Sequence, residues 1–285
     1  MSLKIYIDGE LVDEEDAKIS VFDHCLLYGD GVFEGIRAYG GTIFKEKEHV
    51  DRLYDSARAC MIEIPLSKEE FSRAMYDTMA ANDLSDAYIR AVVTRGKGDL
   101  GLDPRKCPRP TVFIITASIE LYPDEFYEKG LEVVTAATQQ IRSNVMEPRI
   151  KSCNYLKNIL AKLEAIRAGC IEAIMLNAKG EVAECTGDNI FIVADGVVKT
   201  PPPEAGILLG ITRGVVLEIA REAGMDVRET PLTRFDLYSA DECFLTGTAA
   251  EVIPVVNIDG RPIGDGEPGE VTLDLLRRFR ERTKG

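Results

Sequence analysis

The stretch EPRIKSCNYLKNILAKLEAIRAG, residues 147–169, holds three lysines, and one is out of place. Lys157 and Lys162 fit the exposed face of a helix. Lys151 stands before that helix, at the end of an extended approach led by Pro148. A lysine is a nucleophile only as the neutral amine, and its ordinary pKa is about 10.4. A partly buried pocket disfavours the charged form and lowers that value. Ile150, Cys153 and Tyr155 supply neighbours for such a pocket. Taken alone, the spacing of Lys151 favours a solvated lysine at a helix entrance, since most lysines are solvated.

Three further stretches have chemical potential. Glu184 in GEVAECTGDNIFIV ends a strand-like run before a tight polar turn, where a carboxylate can hold a cationic ring nitrogen. In AGILLGITRGVVLEIAREAG, Gly210 breaks the chain and Thr212 opens a helix with an apolar face of Val215, Val216, Ile219 and Ala223. A helix start exposes free N–H groups and the positive end of the dipole, a ready anion site. In FLTGTAAEVIPVV, two threonines flank Gly247 and small alanines follow, so backbone amides can approach a ligand. Separately these are a turn glutamate, a plain N-cap threonine and a strand break. Together they are an amine, a carboxylate and two phosphate cradles in one half of the chain. Pyridoxal 5'-phosphate needs those parts: an imine-forming amine, an acid for the pyridinium and donors for the phosphate.

The elements that must position these groups fall into two halves. Lys4 to Val12 alternates around Asp8-Gly9, a hairpin signal, and GVFEGIRAYGGTIFK gives a second hairpin with Gly40-Gly41 at its turn. KEHVDRLYDSARAC has Val50, Leu53, Tyr54 and Ala57 at helical spacing. SKEEFSRAMYDTMAAN opens with Ser67 and Glu70, a capping-box pattern, and ends near Asn82. AYIRAVVTRG and RPTVFIITASI are adjacent strands joined by a Gly-rich loop. The spacing predicts a first domain over 1–119, an interdomain linker over 120–130 and a second domain over 131–285. The second has strands LEVVTAAT, EAIMLNAKGEVAE, NIFIVADGVVKTP and ECFLTGTAAEVIPVVNIDGRPI, and helices near 153–168, 211–224 and 270–281. The fold class is α+β.

Bulk properties narrow the function. The 285 residues are 45% hydrophobic and 29% charged, an ordinary globular composition. A net charge of −14 argues against nucleic acid or an anionic membrane as partner, though not against small anions in a local basic pocket. No apolar run approaches the ~20 residues of a membrane span. The acidic, alternating N-terminus does not read as a signal peptide. Seven cysteines without a C-x-x-C pair read as reduced thiols in a cytoplasm. With two histidines, His24 and His49, no metal-ligand spacing is present.

The segments YGDGVFEGIRAY, HVDRLYDSA, AYIRAVVTRG, IKSCNYL, GEVAECTGDNIF, GITR and TGTAAEV come in an order that resembles the branched-chain amino-acid aminotransferases among the fold-type IV pyridoxal-phosphate enzymes. The resemblance covers nearly the whole chain. It implies an N-terminal two-layer α/β domain and a C-terminal pseudo-barrel α/β domain, with the cofactor between them. It implies that Lys151 forms the imine with the cofactor and shuttles the Cα proton. Glu184 would pair with the pyridine nitrogen, and Tyr155 would hydrogen-bond the phenolic oxygen. Arg52, the Ile211 amide, Thr212 and Thr248 would hold the phosphate. Tyr88, Thr248 and the Ala249 amide would meet the substrate α-carboxylate. Phe33, Gly35 and Arg37 would line the side-chain pocket, and Arg90 would face a glutamate γ-carboxylate. Tyr28 and the loop around Leu102 would reach a partner subunit's site, which implies at least a dimer.

The implied reaction moves the amino group of leucine, isoleucine or valine to 2-oxoglutarate. The chain has no tryptophan, which several such enzymes place in the pocket. The stretch ASIELYPDE, through Tyr122, would supply that wall. Two enzymes of the same fold are alternatives, a D-amino-acid aminotransferase and aminodeoxychorismate lyase. Gly35, in VFEGIR, and AYIR favour the branched-chain reading. A third alternative, a non-catalytic protein on an enzyme scaffold, conflicts with the intact set of Lys151, Glu184 and Arg52.

Overall fold

The computed structural model describes residues 2–118 and 122–284. The chain forms two compact units: Met1–Ile119 with Ile150–Asn154, and Glu120–Arg149 with Tyr155–Gly285.

In the first unit, β1 (Lys4–Ile7), β2 (Glu10–Asp13), β3 (Gly31–Tyr39), β4 (Thr42–Ile43), β5 (Ala87–Thr94) and β6 (Thr111–Ala117) form a sheet in the order β2-β1-β6-β5-β3-β4. Both tight hairpins turn on paired positive φ angles. Asp8 is at 48° and Gly9 at 104°, and Gly40 is at 55° and Gly41 at 85°. That is the mirror-image turn whose twist suits antiparallel strands. The short helix α1 (His24–Tyr28) precedes β3, while α2 (Glu46–Ala59) and α3 (Lys68–Ala81) cover one face of the sheet. The Ser67 hydroxyl accepts from the Glu70 amide at 3.2 Å, and the Glu70 carboxylate accepts from the Ser67 amide at 2.7 Å. Both halves of the capping box therefore form.

Strand alternation sorts the residues by face. Val32, Ile36 and Ala38 of β3 and Ile89, Ala91 and Val93 of β5 enter a core with Leu53, Phe71 and Met75. Phe33, Gly35 and Arg37, with Tyr88 and Arg90, take the other parity. The returning segment 150–154 adds to the edge of β3. Phe33 N donates to Lys151 O at 3.0 Å, Cys153 N donates to Gly31 O at 2.8 Å, and Ser152 bridges Val32.

In the second unit, α4 (Asp124–Lys129) leads into β7 (Leu131–Thr135). Then come α5 (Leu156–Arg167), β8 (Glu172–Leu176), β9 (Val182–Cys185), β10 (Asn189–Ala194) and β11 (Val197–Thr200). They are followed by α6 (Ile211–Glu222), β12 (Asp226–Glu229), α7 (Arg234–Tyr238), β13 (Glu242–Gly247), β14 (Glu251–Ile258), β15 (Arg261–Pro262) and α8 (Glu270–Arg282). The strands run β12-β11-β10-β13-β14-β7-β8-β9, with β15 on β14, in one sheet that curls into a half-barrel.

Two details depart from the sequence reading. Of the 120–130 linker, residues 120 and 121 lie outside the described residues. The remainder is packed: Tyr122 is buried in the core of the second unit, and the Tyr127 hydroxyl donates to Ala250 O at 3.1 Å. Tyr122, the expected pocket wall, packs in that core, and its hydroxyl lies 3.4 Å from Asp188 Oδ2. The second departure is α5. Its inner face is Ala161 and Ala165 against Ala173 and Met175, small residues that seat the helix close to the sheet. Leu156, Ile159, Leu160, Leu163 and Ile166 stand exposed, while Lys157 is half-buried and donates to Asn158 Oδ1 at 3.0 Å. The lysine predicted on a wet face is therefore partly desolvated, and burial lowers its pKa.

Candidate active site

The first unit gathers Lys151, Phe33, Gly35, Tyr88 and Arg90. The Lys151 peptide is fixed to β3 through Phe33 and by donation from Lys151 N to Ser56 Oγ at 3.2 Å. The side chain then runs over the Phe33 ring, with Nζ 4.7 Å from its centroid. Burial lowers the amine pKa, and the positive charges of Arg52 and Arg90 push the same way. The negative charge of Glu34 opposes them. The direction is the one a nucleophilic amine requires.

Arg90 lies 4.6 Å from the Phe33 centroid and donates from Nη2 to Tyr88 Oη at 2.9 Å. Gly35 is the cross-strand partner of Arg90, and an alanine Cβ there would come 2.3 Å from Tyr88 Oη. The missing side chain is what admits the phenol. Arg37, opposite Tyr88, stacks over Tyr39 at 5.0 Å. Tyr28 is exposed at the end of α1 and donates to Leu100 O at 2.5 Å, tying it to the loop that carries the exposed Leu102.

Arg52 reaches from α2 to the carboxylate of Glu34 on β3. Arg52 Nε donates to Glu34 Oε1 at 2.7 Å and Nη2 to Oε2 at 2.8 Å; His49 Nδ1 meets Oε2 at 2.7 Å. Glu34 is fully buried. Burial alone would raise its carboxyl, but Arg52 and His49 outweigh that and hold it down at about 2. Its signal in the sequence was parity: a charged residue on the β3 face otherwise given to Val32, Ile36 and Ala38.

The second unit carries Tyr155, Glu184, Ile211, Thr212, Thr248 and Ala249. Tyr155 caps the start of α5 and is half-buried. Glu184, buried on β9, accepts from Gln140 Nε2 at 2.6 Å, Leu208 N at 2.9 Å and Asn189 Nδ2 at 3.3 Å. Three donors hold that carboxylate in one orientation. Neither Gln140 nor Asn189 carries a local signal for this role: Gln140 comes from a loop 44 residues before Glu184, and Asn189 reaches back from β10 to the neighbouring β9.

Helix α6 begins at Ile211 after Gly210, and no side chain among the described residues caps it. Thr212 is buried in its first turn. A Cβ at Gly210 would stand 2.1 Å from Asn189 Oδ1 and one at Gly247 1.8 Å from Asp188 Oδ1, so either would displace the neighbouring side chain. Thr246, paired with Asn189 across β10 and β13, keeps a buried hydroxyl oxygen without a hydrogen-bond partner among the described residues. Thr248 and Ala249 form the half-buried turn between β13 and β14. An uncapped helix start, glycines that admit close neighbours and an orphaned hydroxyl suit a phosphate monoester. Among the described residues no group of three or more His, Cys, Asp or Glu is placed to hold a metal.

Comparison with known proteins gives one answer. The family described as amino-transferase class IV matches residues 31–258. A Methanocaldococcus jannaschii protein is 56% identical over 283 residues, spanning 99% of this chain and 97% of that protein. The branched-chain-amino-acid aminotransferase of Pseudomonas aeruginosa is 41% identical over 286 residues, 99% of this chain and 93% of its own length. Among solved structures, the branched-chain amino acid aminotransferase of Escherichia coli superposes with a TM-score of 0.96. It is 37% identical, over 99% of this chain and 94% of that one.

Proposed function

Because the chain belongs to the class IV aminotransferases, we propose that it moves the amino group of branched-chain L-amino acids to 2-oxoglutarate. The products are the branched-chain 2-oxo acids and L-glutamate. Its cofactor is pyridoxal 5'-phosphate. The observation that carries the reading is the desolvated Lys151 amine set over Phe33 beside Tyr88 and Arg90.

When bound, the cofactor supplies an aldehyde for amino exchange and a ring that withdraws electrons from the substrate Cα. Lys151 supplies the amine that anchors it, and its Nζ takes the Cα proton and later gives one back, as general base and then acid. Glu184, fixed by Gln140, Asn189 and the Leu208 amide, would keep the ring nitrogen protonated. Tyr155 would donate to the phenolic oxygen. Arg52, the Ile211 amide, Thr212 and Thr248 would hold the phosphate. Tyr88, Thr248 and the Ala249 amide would orient the substrate carboxylate. Phe33, Gly35 and Arg37 would shape the side-chain pocket, and Arg90 would pair with the γ-carboxylate of glutamate, which is costly to bury unpaired.

A dimer at least completes this reading, with Tyr28 and Leu102 serving the partner's site. Its support is the exposed apolar surface on α1 and its loop (Leu26, Leu27, Leu100, Leu102) and, separately, on α5. A reducing cytoplasm is supported by seven cysteines, all free. Among the described residues no helix is long and apolar enough to cross a membrane.

The test is glutamate formation from 2-oxoglutarate with a panel of L- and D-amino acids, with Lys151→Ala alongside. L-leucine, L-isoleucine and L-valine should lead, and the variant should lose turnover. Preference for D-alanine, or pyruvate release from aminodeoxychorismate without a 2-oxo acid, would overturn the proposal.

A further inference from the structure

Glu34 has no part in the scheme above, yet its burial demands an explanation. Its neighbours on the same strand face are Val32, Ile36 and Ala38, all core residues. An apolar side chain would fit that face at least as well, since a buried ion pair is weak evidence of stabilisation.

We propose that Glu34 is a positioning residue which, with His49, aims the Arg52 guanidinium at the cofactor's phosphate. The inference rests on the assignment of Arg52 as a phosphate ligand.

Three bonds define the arrangement. Oε1 accepts from Arg52 Nε at 2.7 Å, and Oε2 accepts from both Arg52 Nη2 at 2.8 Å and His49 Nδ1 at 2.7 Å. The two-point bond fixes the plane of the guanidinium as well as its position. Without it, a long arginine side chain samples many rotamers. His49 sits one helical turn before Arg52, on the same side of α2. An ionised Glu34 can only accept, so His49 must carry its proton on Nδ1, and burial keeps the ring neutral. The trio therefore sums to zero charge, one anion and one cation, with His49 bracing the carboxylate from the other side. Arginine keeps five N–H donors in a rigid fork, so orienting one edge orients the rest.

The test compares pyridoxal 5'-phosphate with pyridoxal, which lacks the phosphate, as probes of resolved and reconstituted enzyme. Glu34→Gln should weaken binding of the phosphorylated form by roughly tenfold to a hundredfold, as loss of an outer partner commonly does. Pyridoxal affinity should stay within about twofold, and in an Arg52→Ala background Glu34→Gln should add no more than about twofold. Glu34→Asp, which keeps the charge, should recover part of the loss. Equal weakening of both probes, or a full additional loss on top of Arg52→Ala, would overturn the inference while leaving the phosphate assignment intact. If Arg52→Ala itself leaves affinity for the phosphorylated form unchanged, the assignment fails and the inference with it. Should Glu34→Gln not fold, His49→Ala keeps the Glu34–Arg52 pair and should still weaken phosphate-dependent binding several-fold; no change there would count against the role.

Discussion

Tyr88 Oη occupies the space that a side chain at Gly35 would need, 2.3 Å from the position of its Cβ. The two residues lie on neighbouring strands, and Arg90 bonds the same oxygen. Gly35→Ala should therefore move the phenol and loosen Arg90. We expect kcat/KM for leucine to fall by at least about tenfold, the scale set by misplacing a positioning group. The thermal midpoint should change little, because the displaced atoms face away from the core. Unaltered kinetics would refute the assignment of Tyr88 to the substrate.

Arg90→Ala should separate the two substrates. A γ-carboxylate left without its cation loses a charge-assisted partner, while an aliphatic side chain loses only contact area. Turnover from glutamate should drop about tenfold or more beyond the drop from leucine. Parallel losses would show that Arg90 serves the site only through Tyr88.

Several of the proposed site positions stand out in the sequence because they sit at element boundaries. Lys151 precedes α5, Thr212 lies in the first turn of α6 and Gly247 ends β13, and each boundary carries local chemistry that a linear reading can find. Both hairpins and the Ser67–Glu70 cap were legible for the same reason. Glu34, Gln140 and Asn189 were not, because their meaning comes from partners on other strands or helices. The inner face of α5 runs against hydrophobic patterning, because its small alanines, not its leucines, pack inward. Small residues give little hydrophobic signal, and close helix–sheet approach selects them anyway.

Burying the Lys151 amine works against stability. Its folded pKa lies below the unfolded value, so near neutral pH the unfolded chain binds the proton more strongly. The penalty is present at neutral pH and fades as pH rises toward the unfolded value. Lys151→Met should abolish turnover yet raise the melting temperature of the cofactor-free protein, because the variant has no amine to desolvate. Differential scanning calorimetry checks it; a lowered melting point would mean the amine is stabilised where it stands.

Acid should act through Glu34. Its folded pKa is depressed to about 2, so its contribution is complete above the unfolded carboxyl value and is lost as pH falls toward 2. The His49 pKa is also lowered, so protonation there opposes the fold once pH drops below the ordinary histidine value. Denaturant midpoints measured from pH 7 to pH 3 should fall less steeply in Glu34→Gln than in the parent. Identical slopes would show that the acid sensitivity lies elsewhere.

The edge of β3 is completed by residues 150–154, which leave the ribosome only after the whole of 120–149. An N-terminal fragment ending at 119 would lack the reactive amine and expose a bare row of strand hydrogen-bonding groups. Such an edge invites self-association. The first unit therefore cannot finish folding while its own sequence is being made, and must wait for a stretch of the second to be translated.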